Sequence, residues 1–351
     1  ITDAWSWQWL FLINLAPGIA VAAAVWTLLD IDRPEHKLWR ILDLPGTVYM
    51  MLFLGSLEWV LEEGPAHNWL DDGGIAFWTA TMCVSALLFF HRVLTHHNPI
   101  VSLRPFINPH FIAANAAAML LSVSLFAANY IVPLFLGQVR GFNSMQIGDA
   151  LAVNGIAMFL AAPFAARLAR KFDLRYLFTF GCLLVLAGSA AMCTLTDQTG
   201  YWELFWPQGV RSLGFMLALV CCSTLSLSTL PPDMIKNASG LYTLMRNLGG
   251  ALGLACLNTI MFWRGAVHQQ HLSEALRLSR VPVRDLALQA GAQAPHDAIL
   301  SVALVAHRLG VQSLVLAYND ALIAITWVGA IAIPVFLFVK RPRLTGGPAM
   351  H

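Results

Sequence analysis

Charge is what this sequence has least of. Only 11% of its 351 residues are Asp, Glu, Lys or Arg, against about a quarter in an ordinary soluble domain. The 21 basic residues barely outnumber the 19 acidic ones, and the formal charge of +2 gives no basic field for nucleic acid. Cysteine is sparse too: Cys83, Cys182, Cys193, Cys221, Cys222 and Cys256 all fall in apolar stretches, where they act as small hydrophobes and not as a disulfide framework. His96-His97 lacks the H-x-x-x-H spacing of a metal helix, and His268 and His271 have no carboxylate or cysteine neighbour in sequence, so neither pair reads as a metal site and both are expected to be solvated. No G-x-S-x-G elbow, phosphate loop or HExxH helix occurs, nor the cluster of His, Asp or Glu at one membrane face that an integral-membrane enzyme needs. A cofactor is not expected.

What the sequence has in excess is oil. Hydrophobic residues make up 58% of it, and a bilayer core about 30 Å thick is crossed by roughly 20 apolar residues in a helix. Nine such runs are present, near residues 7–29, 42–61, 75–90, 111–136, 147–168, 177–195, 202–229, 238–262 and 314–339. The fold expected is therefore all-α and integral to the membrane, with nine transmembrane helices. Basic residues fix the orientation, because short loops rich in Lys and Arg stay on the cytoplasmic side. Arg33, Lys37, Arg40, Arg92, Arg104, Arg167, Arg170, Lys171, Arg175, Lys236, Lys340, Arg341 and Arg343 lie after spans one, three, five, seven and nine, whereas the loops after spans two, four and six hold only Arg140. The C-terminus is thus expected inside and Ile1 outside. An odd span count, an outward start and the absence of an initiator Met or signal peptide lead us to expect a protein lacking its front.

Several strings occur in a telling order: Trp5-Ser6-Trp7-Gln8-Trp9 through Asn14 ahead of Pro17-Gly18; Asn98-Pro99-Ile100-Val101 with Leu103-Arg104-Pro105-Phe106; Pro133-Leu134-Phe135-Leu136 with Gly141-Phe142; Leu227 to Pro232; Ala238-Ser239-Gly240-Leu241; Arg246-Asn247-Leu248-Gly249-Gly250; and Ala317-Tyr318-Asn319-Asp320. In these the chain resembles the EmrB/QacA-type drug:proton antiporters, the fourteen-span branch of the major facilitator superfamily. The resemblance implies that the nine spans are the family's sixth to fourteenth. Residues 1–30 would then be the last helix of a truncated amino-terminal bundle and 31–98 two inserted linker spans. Residues 99–339 would be a carboxy-terminal six-helix bundle with a long outer loop at about 263–313, and 340–351 a cytoplasmic tail. It departs from the family's Gly-x-Leu-x-Asp-Arg-type loop, with Ala166 and Arg170 where Gly and Asp are expected.

Ionisable groups inside a hydrocarbon slab cost a few kcal/mol or more and invite a functional reading. Arg211 sits ten residues into span seven, on one stripe with Gln208, Ser212, Cys222 and Ser226. Arg246 lies deep in span eight, with Tyr242 one turn back and Gly249, Gly250 and Gly253 ahead, a spacing that admits a close helix crossing. Asn115, Ser122 and Asn129 recur every two turns of span four; Tyr130 and Asn154 add hydrogen-bonding points. These nine (Asn115, Ser122, Asn129, Tyr130, Asn154, Gln208, Arg211, Tyr242, Arg246) are the substrate-cavity candidates, and Arg246, Arg211, Glu58 and Asp320 the coupling candidates. The competing role for the arginines and amides is to hold helices together, and for Glu58 and Asp320 to meet headgroups at the outer edge.

The resemblance implies a permease of the inner membrane that exports amphipathic or lipophilic compounds in exchange for protons, with the proton gradient as energy source. It also implies partners in a membrane-fusion adaptor and an outer-membrane channel. An exporter of one specific metabolite and a transport-inactive fragment or scaffold are the alternatives.

Overall fold

The computed structural model describes residues 6, 8–28, 43–96, 99–278 and 298–337. The loop readings at 29–42, 97–98 and 279–297, the tail at 338–351, and with them Arg33, Lys37, Arg40, Lys340, Arg341 and Arg343, lie outside the described residues. Among the described residues the α-helices are α1 (Trp9–Leu12), α2 (Leu15–Leu28), α3 (Leu44–Glu63), α4 (Gly73–Thr95), α5 (Pro109–Gln138), α6 (Ser144–Lys171), α7 (Leu174–Met192), α8 (Tyr201–Ser228), α9 (Pro232–Leu278) and α10 (Ala298–Leu337), with short 3₁₀ turns at Gly64–His67, Trp69–Asp71 and Arg104–Ile107.

Eight of the nine expected spans are helices long and apolar enough to cross a membrane. The first is divided: α1 and α2 together occupy its place, and α2, 14 residues long, buries none of its residues. The helices start where a short polar side chain replaces the missing intrahelical acceptor. Asp43 caps α3 through Gly46 N at 3.1 Å, Asp72 caps α4 through Gly74 N at 2.7 Å, and Asn108 caps α5 through His110 N at 2.9 Å. Asn143 and Gln146 exchange bonds at 2.9 and 3.0 Å in a capping box that opens α6.

Two expectations fail at the C-terminal end. The long outer loop at 263–313 is largely helix, since α9 runs 47 residues to Leu278 and α10 begins at Ala298 and runs 40. Hydropathy locates where lipid ends, and Trp263 onward is polar; but the run through Ala266, Gln269, Gln270, Glu274 and Ala275 is rich in helix formers, so the helix continues into water. At 1.5 Å per residue α9 is about 70 Å long, twice what the bilayer requires. His268, expected to be solvated, also has a partner: its Nε2 lies 2.6 Å from Asp320 Oδ2, which Arg264 Nε meets at 2.6 Å too. That carboxylate belongs to another helix, 52 residues away.

The packing explains the helix pairs. α3 and α4 form an antiparallel pair tied at one end by Arg92 Nε to Asp43 Oδ1 at 3.0 Å. α5 is central to the remaining six, contacting α6, α8, α9 and α10, while α7 lies against α8 and α10. Alternation up and down is visible at both ends. Arg140 donates to the Asp197 carbonyl at 2.7 Å, joining the turn after α5 to the turn after α7. Ser102 N donates to Asn237 Oδ1 at 3.2 Å and Asn108 Nδ2 to the Thr229 carbonyl at 3.1 Å, joining the segment before α5 to the first turns of α9 and to the turn that precedes it.

The outer surface is apolar, as lipid demands: Leu87, Phe159, Phe164, Trp202, Trp206 and Trp327 are all more than half exposed. Trp59, Trp202, Trp206 and Trp263 stand exposed near the α3, α8 and α9 segments at one end of the molecule, where indole rings favour the membrane–water boundary.

α9 crosses α5 at glycine. A Cβ on Gly253 would stand 2.8 Å from the Val123 carbonyl, and one on Gly249 would collide with the Met119 carbonyl, as the glycine spacing predicts. Gly253→Ala should therefore lower thermal stability in detergent by about 1–3 kcal/mol through overpacking. Gly240→Ala, on the same helix with nothing within 4 Å, should be neutral or slightly stabilising. Melting curves that coincide for both variants would contradict this crossing.

Candidate functional site

The apolar interior is divided. One cluster gathers Ala114 to Leu121 of α5, Leu174 to Val185 of α7, Phe215 to Leu225 of α8 and Phe336 of α10. A second gathers Ala127 to Leu136, Met192, Leu204, Leu257 and Val315 to Ile325. On α8 the residues between the two include Gln208, Arg211 and Ser212, buried at 0%, 1% and 0% exposure. On α6 the corresponding gap holds Asn154, and on α7 Gly188 and Ser189. A polar layer thus separates two oily ones.

Its hydrogen bonds converge. Arg211 Nη2 donates to Asn129 Oδ1 at 3.2 Å. Asn154 Nδ2 donates to Gln208 Oε1 at 3.0 Å and lies 3.4 Å from Asn129 Oδ1. Ser212 Oγ donates to Asn154 Oδ1 at 2.8 Å. Four candidates from three separate stretches, Asn129, Asn154, Gln208 and Arg211, therefore form one constellation across α5, α6 and α8. At about 1.5 Å per residue Arg211 lies roughly 15 Å from the start of its helix, near the middle of a 28-residue span.

A close approach of α7 holds the guanidinium's helix in place. A Cβ on Gly188 would come within 2.6 Å of the Pro207 carbonyl and 2.7 Å of Arg211 N, so no larger residue fits beside the Arg211 backbone. Pro207, which sequence reasoning passed over, sits inside an α8 that continues through it. It withdraws one backbone donor from the turn before Gln208.

The other candidates stand elsewhere. Asn115 donates to the Phe111 carbonyl at 2.8 Å and to Ser226 Oγ at 3.2 Å, fastening α5 to α8 nearer the other end of the bundle. Ser122 is fully buried and its Oγ has no hydrogen-bond partner among the described residues. Tyr242 is buried in the first apolar cluster, with its hydroxyl 3.5 Å from the Leu219 carbonyl. Arg246 is half-buried and makes no hydrogen bond or ion pair with another described residue. It lies 14 residues into α9, since the helix begins six residues before the expected span.

Glu58 is exposed on a cavity of about 440 Å³ between α3 and the bundle, lined also by Glu62, Tyr130, Leu254, Asn258 and Phe262. Asp320 is occupied by Arg264 and His268, and the two residues before it are tied as well. Tyr318 donates to Gln138 Oε1 at 2.9 Å, and Asn319 both accepts from Leu195 N and donates to the Leu195 carbonyl at 3.0 Å. Three consecutive side chains of α10 thus reach α5, the end of α7 and α9.

Among the described residues no group of three or more His, Cys, Asp or Glu is placed to hold a metal ion.

A family model described as Major Facilitator Superfamily matches residues 1–254. The chain is 38% identical over 276 residues to the colistin resistance protein EmrB of Acinetobacter baumannii, covering 79% of this chain and 54% of that one. It is 28% identical over 282 residues to the multidrug export protein EmrB of Escherichia coli, with coverage of 79% and 54%. A third relative, the fatty acid resistance protein FarB of Neisseria gonorrhoeae, is 25% identical over 347 residues, covering 99% of this chain and 68% of that one. The chain spans about half the length of the first two. Among solved structures, a bacterial homolog to the human lysosomal transporter Spinster, in an inward-facing and occupied conformation, has the same fold at a TM-score of 0.52 and 17% identity. That match covers 86% of this chain and 69% of the other.

Asn154 makes bonds in three directions, so Asn154→Ala should leave Ser212 and Gln208 without those partners. The expected loss is about 1–3 kcal/mol per orphaned group, larger than for Asn129→Ala, whose residue is exposed. Thermal unfolding in detergent measures it. A smaller loss for Asn154→Ala than for Asn129→Ala would dismiss the three-helix junction.

Proposed function

The chain belongs to the Major Facilitator Superfamily, and from that premise we propose that it is the permease part of a multidrug exporter that moves amphipathic or lipophilic compounds out of the cytoplasm in exchange for protons. The observation that carries this reading is the polar layer at mid-depth, built by α5, α6 and α8 around Arg211. A bundle whose purpose was only to hold helices in lipid would fill that layer with apolar side chains, since burying a guanidinium is costly. The names of the EmrB relatives support the substrate class.

The protein is multi-pass. We assign it to the inner membrane with its C-terminus in the cytoplasm, on the distribution of Lys and Arg. In this assignment residues 1–30 are the last helix of an amino-terminal bundle, 31–98 the inserted pair and 99–339 the carboxy-terminal bundle. Alternating access comes from rocking of the two bundles. The extensions of α9 and α10 beyond the tryptophan-rich end would then face outward, available to a membrane-fusion adaptor that leads to an outer-membrane channel. For the orientation, single cysteines replacing Asp72 and Gln198 should react with an impermeant thiol reagent from outside, and one replacing Arg104 from inside. The reverse pattern would invert the topology.

Arg246 tests coupling. Without a described partner, a half-buried guanidinium is stabilised by cavity water or by a group elsewhere in the whole transporter, and a partner whose protonation changes in the cycle makes that pairing conditional. In the full-length protein, Arg246→Lys should keep part of the proton-driven efflux of a lipophilic dye from proteoliposomes. Arg246→Gln should insert normally and lose its response to an imposed pH gradient. Unchanged coupled efflux in Arg246→Gln at normal abundance would remove Arg246 from the mechanism. Absence of dye movement in the unaltered protein under any gradient would remove the export reading itself.

A further inference from the structure

We infer that the end of the bundle at which α5 and α7 begin carries a site for the phosphate group of an anionic phospholipid, built by Arg175 with His110. The inference goes beyond the export reading and does not depend on what the permease carries. It starts from depth. α7 is 19 residues long, about 28 Å at 1.5 Å per residue, which matches the thickness of the hydrocarbon core and leaves nothing over. Its first turn therefore stands at the level of the lipid phosphates, and Arg175 is its second residue.

Donors at that level lack acceptors. Arg175 is half-buried, and its Nε and Nη2 are covered without making a hydrogen bond among the described residues. These two nitrogens form one edge of the guanidinium, the edge that holds two oxygens of a phosphate in parallel. His110, second residue of α5, likewise has a covered Nδ1 without a hydrogen-bond partner. The two helix starts meet, since Ala114 of α5 packs in one apolar cluster with Leu174, Leu177 and Phe178 of α7, and the Arg175 charge is near enough to act on the His110 ring. Asp173, the carboxylate beside Arg175 in sequence, accepts from Arg175 N at 3.0 Å as the cap of α7 and does not satisfy the two guanidinium nitrogens.

The surroundings select a lipid over a free anion. Tyr176, Phe180 and Leu183 follow Arg175 along one stripe of α7, and all three are more than half exposed. Acyl chains lying against that stripe bring a head group to the first turn, where Tyr176 sits at the depth favoured by aromatic rings. Arg170 and Lys171, exposed in the last turn of α6 just before α7, add positive charge that draws anionic lipid in preference to zwitterionic. Inorganic phosphate would gain the charge and none of the apolar contact.

Native mass spectrometry tests this on the purified full-length protein, given equal amounts of phosphatidylglycerol and phosphatidylcholine with the same acyl chains. The unaltered protein should retain the anionic lipid about fivefold over the zwitterionic one, the scale of one basic side chain at an anionic surface. Arg175→Gln should remove that preference, whereas Arg170→Gln combined with Lys171→Gln should keep most of it. Equal retention of the two lipids by the unaltered protein would mean that water completes Arg175 and would overturn the inference. A preference that survives Arg175→Gln would do the same, as would one lost equally in the double variant, which would signify a diffuse field and no built site. Inorganic phosphate at millimolar concentration should leave the lipid bound; its displacing the lipid would mark a site for free anions and defeat the assignment. If Arg175→Gln does not insert, a phosphatidylglycerol with a photoactivatable head group decides on the unaltered protein: crosslinks should fall at the first turns of α5 and α7, and crosslinks confined to other segments would reject the site. Because lipid retention is read without transport, its outcome stands apart from that of the dye-efflux measurement.

Discussion

The constraint on which the bundle's arrangement depends is the burial of Arg211 at mid-span among amides from other helices, with Nη2 donating to Asn129 Oδ1 and Asn154 joining the rest. A guanidinium at the middle of a span is tolerable where the low-dielectric surroundings are interrupted by dipoles. Asn129, Asn154, Gln208 and Ser212 supply those dipoles, and they come from three helices. α5, α6 and α8 are therefore held in register at that depth by polar contacts, while the apolar clusters above and below it are held by packing alone. Gly188 completes the arrangement by letting α7 press against the Arg211 backbone, which keeps the helix from rotating its charge away from the amides.

The opposite strategy operates at the tryptophan-rich end. There, polar side chains tie helix ends and do not line an interior. Tyr318, Asn319 and Asp320 each engage a different neighbour, and the last of these meets both Arg264 and His268. A partly exposed ion pair contributes little stability, about 0–1 kcal/mol, so its consequence is geometric. It fixes the depth of α10 against α9 where both helices leave the apolar zone and continue outward.

Helices and their spans were legible in the sequence because lipid imposes one strong rule, a long apolar run. The close crossing of α5 and α9 was legible in the glycines at 249, 250 and 253 for a similar reason, since small residues are what such contacts require. Where each helix stops was not. Loss of hydropathy after Phe262 marks an interface, and residues such as Ala266 and Glu274 extend the helix through it. Asn129, Asn154, Gln208 and Arg211 each stood out as polar in oil, but their meeting could not be read, because helix rotation about its axis is set by contacts between segments as far apart as residues 129 and 211. For the same reason Tyr242 and Asn115 carried the same signal and are placed away from that meeting. The Asp320–His268 pair joins residues 52 apart and left no local trace.

Charge in this molecule is sorted by position, and one turn of α5 joins the two regions. Glu58 and Glu62 face the cavity of about 440 Å³ beside α3, where Tyr130 forms part of the wall. Arg211 lies in a layer without acids, covered by Asn129. Asn129 and Tyr130 are consecutive, so a displacement of that turn alters the acidic cavity and the basic layer together. Among the described residues no acid makes an ion pair with Arg211, whose Nη2 is held by the Asn129 amide. The acidic cavity and the layer around Arg211 thus share a backbone turn at 129–130 and no ion pair among the described residues, so packing along α5 is what joins them.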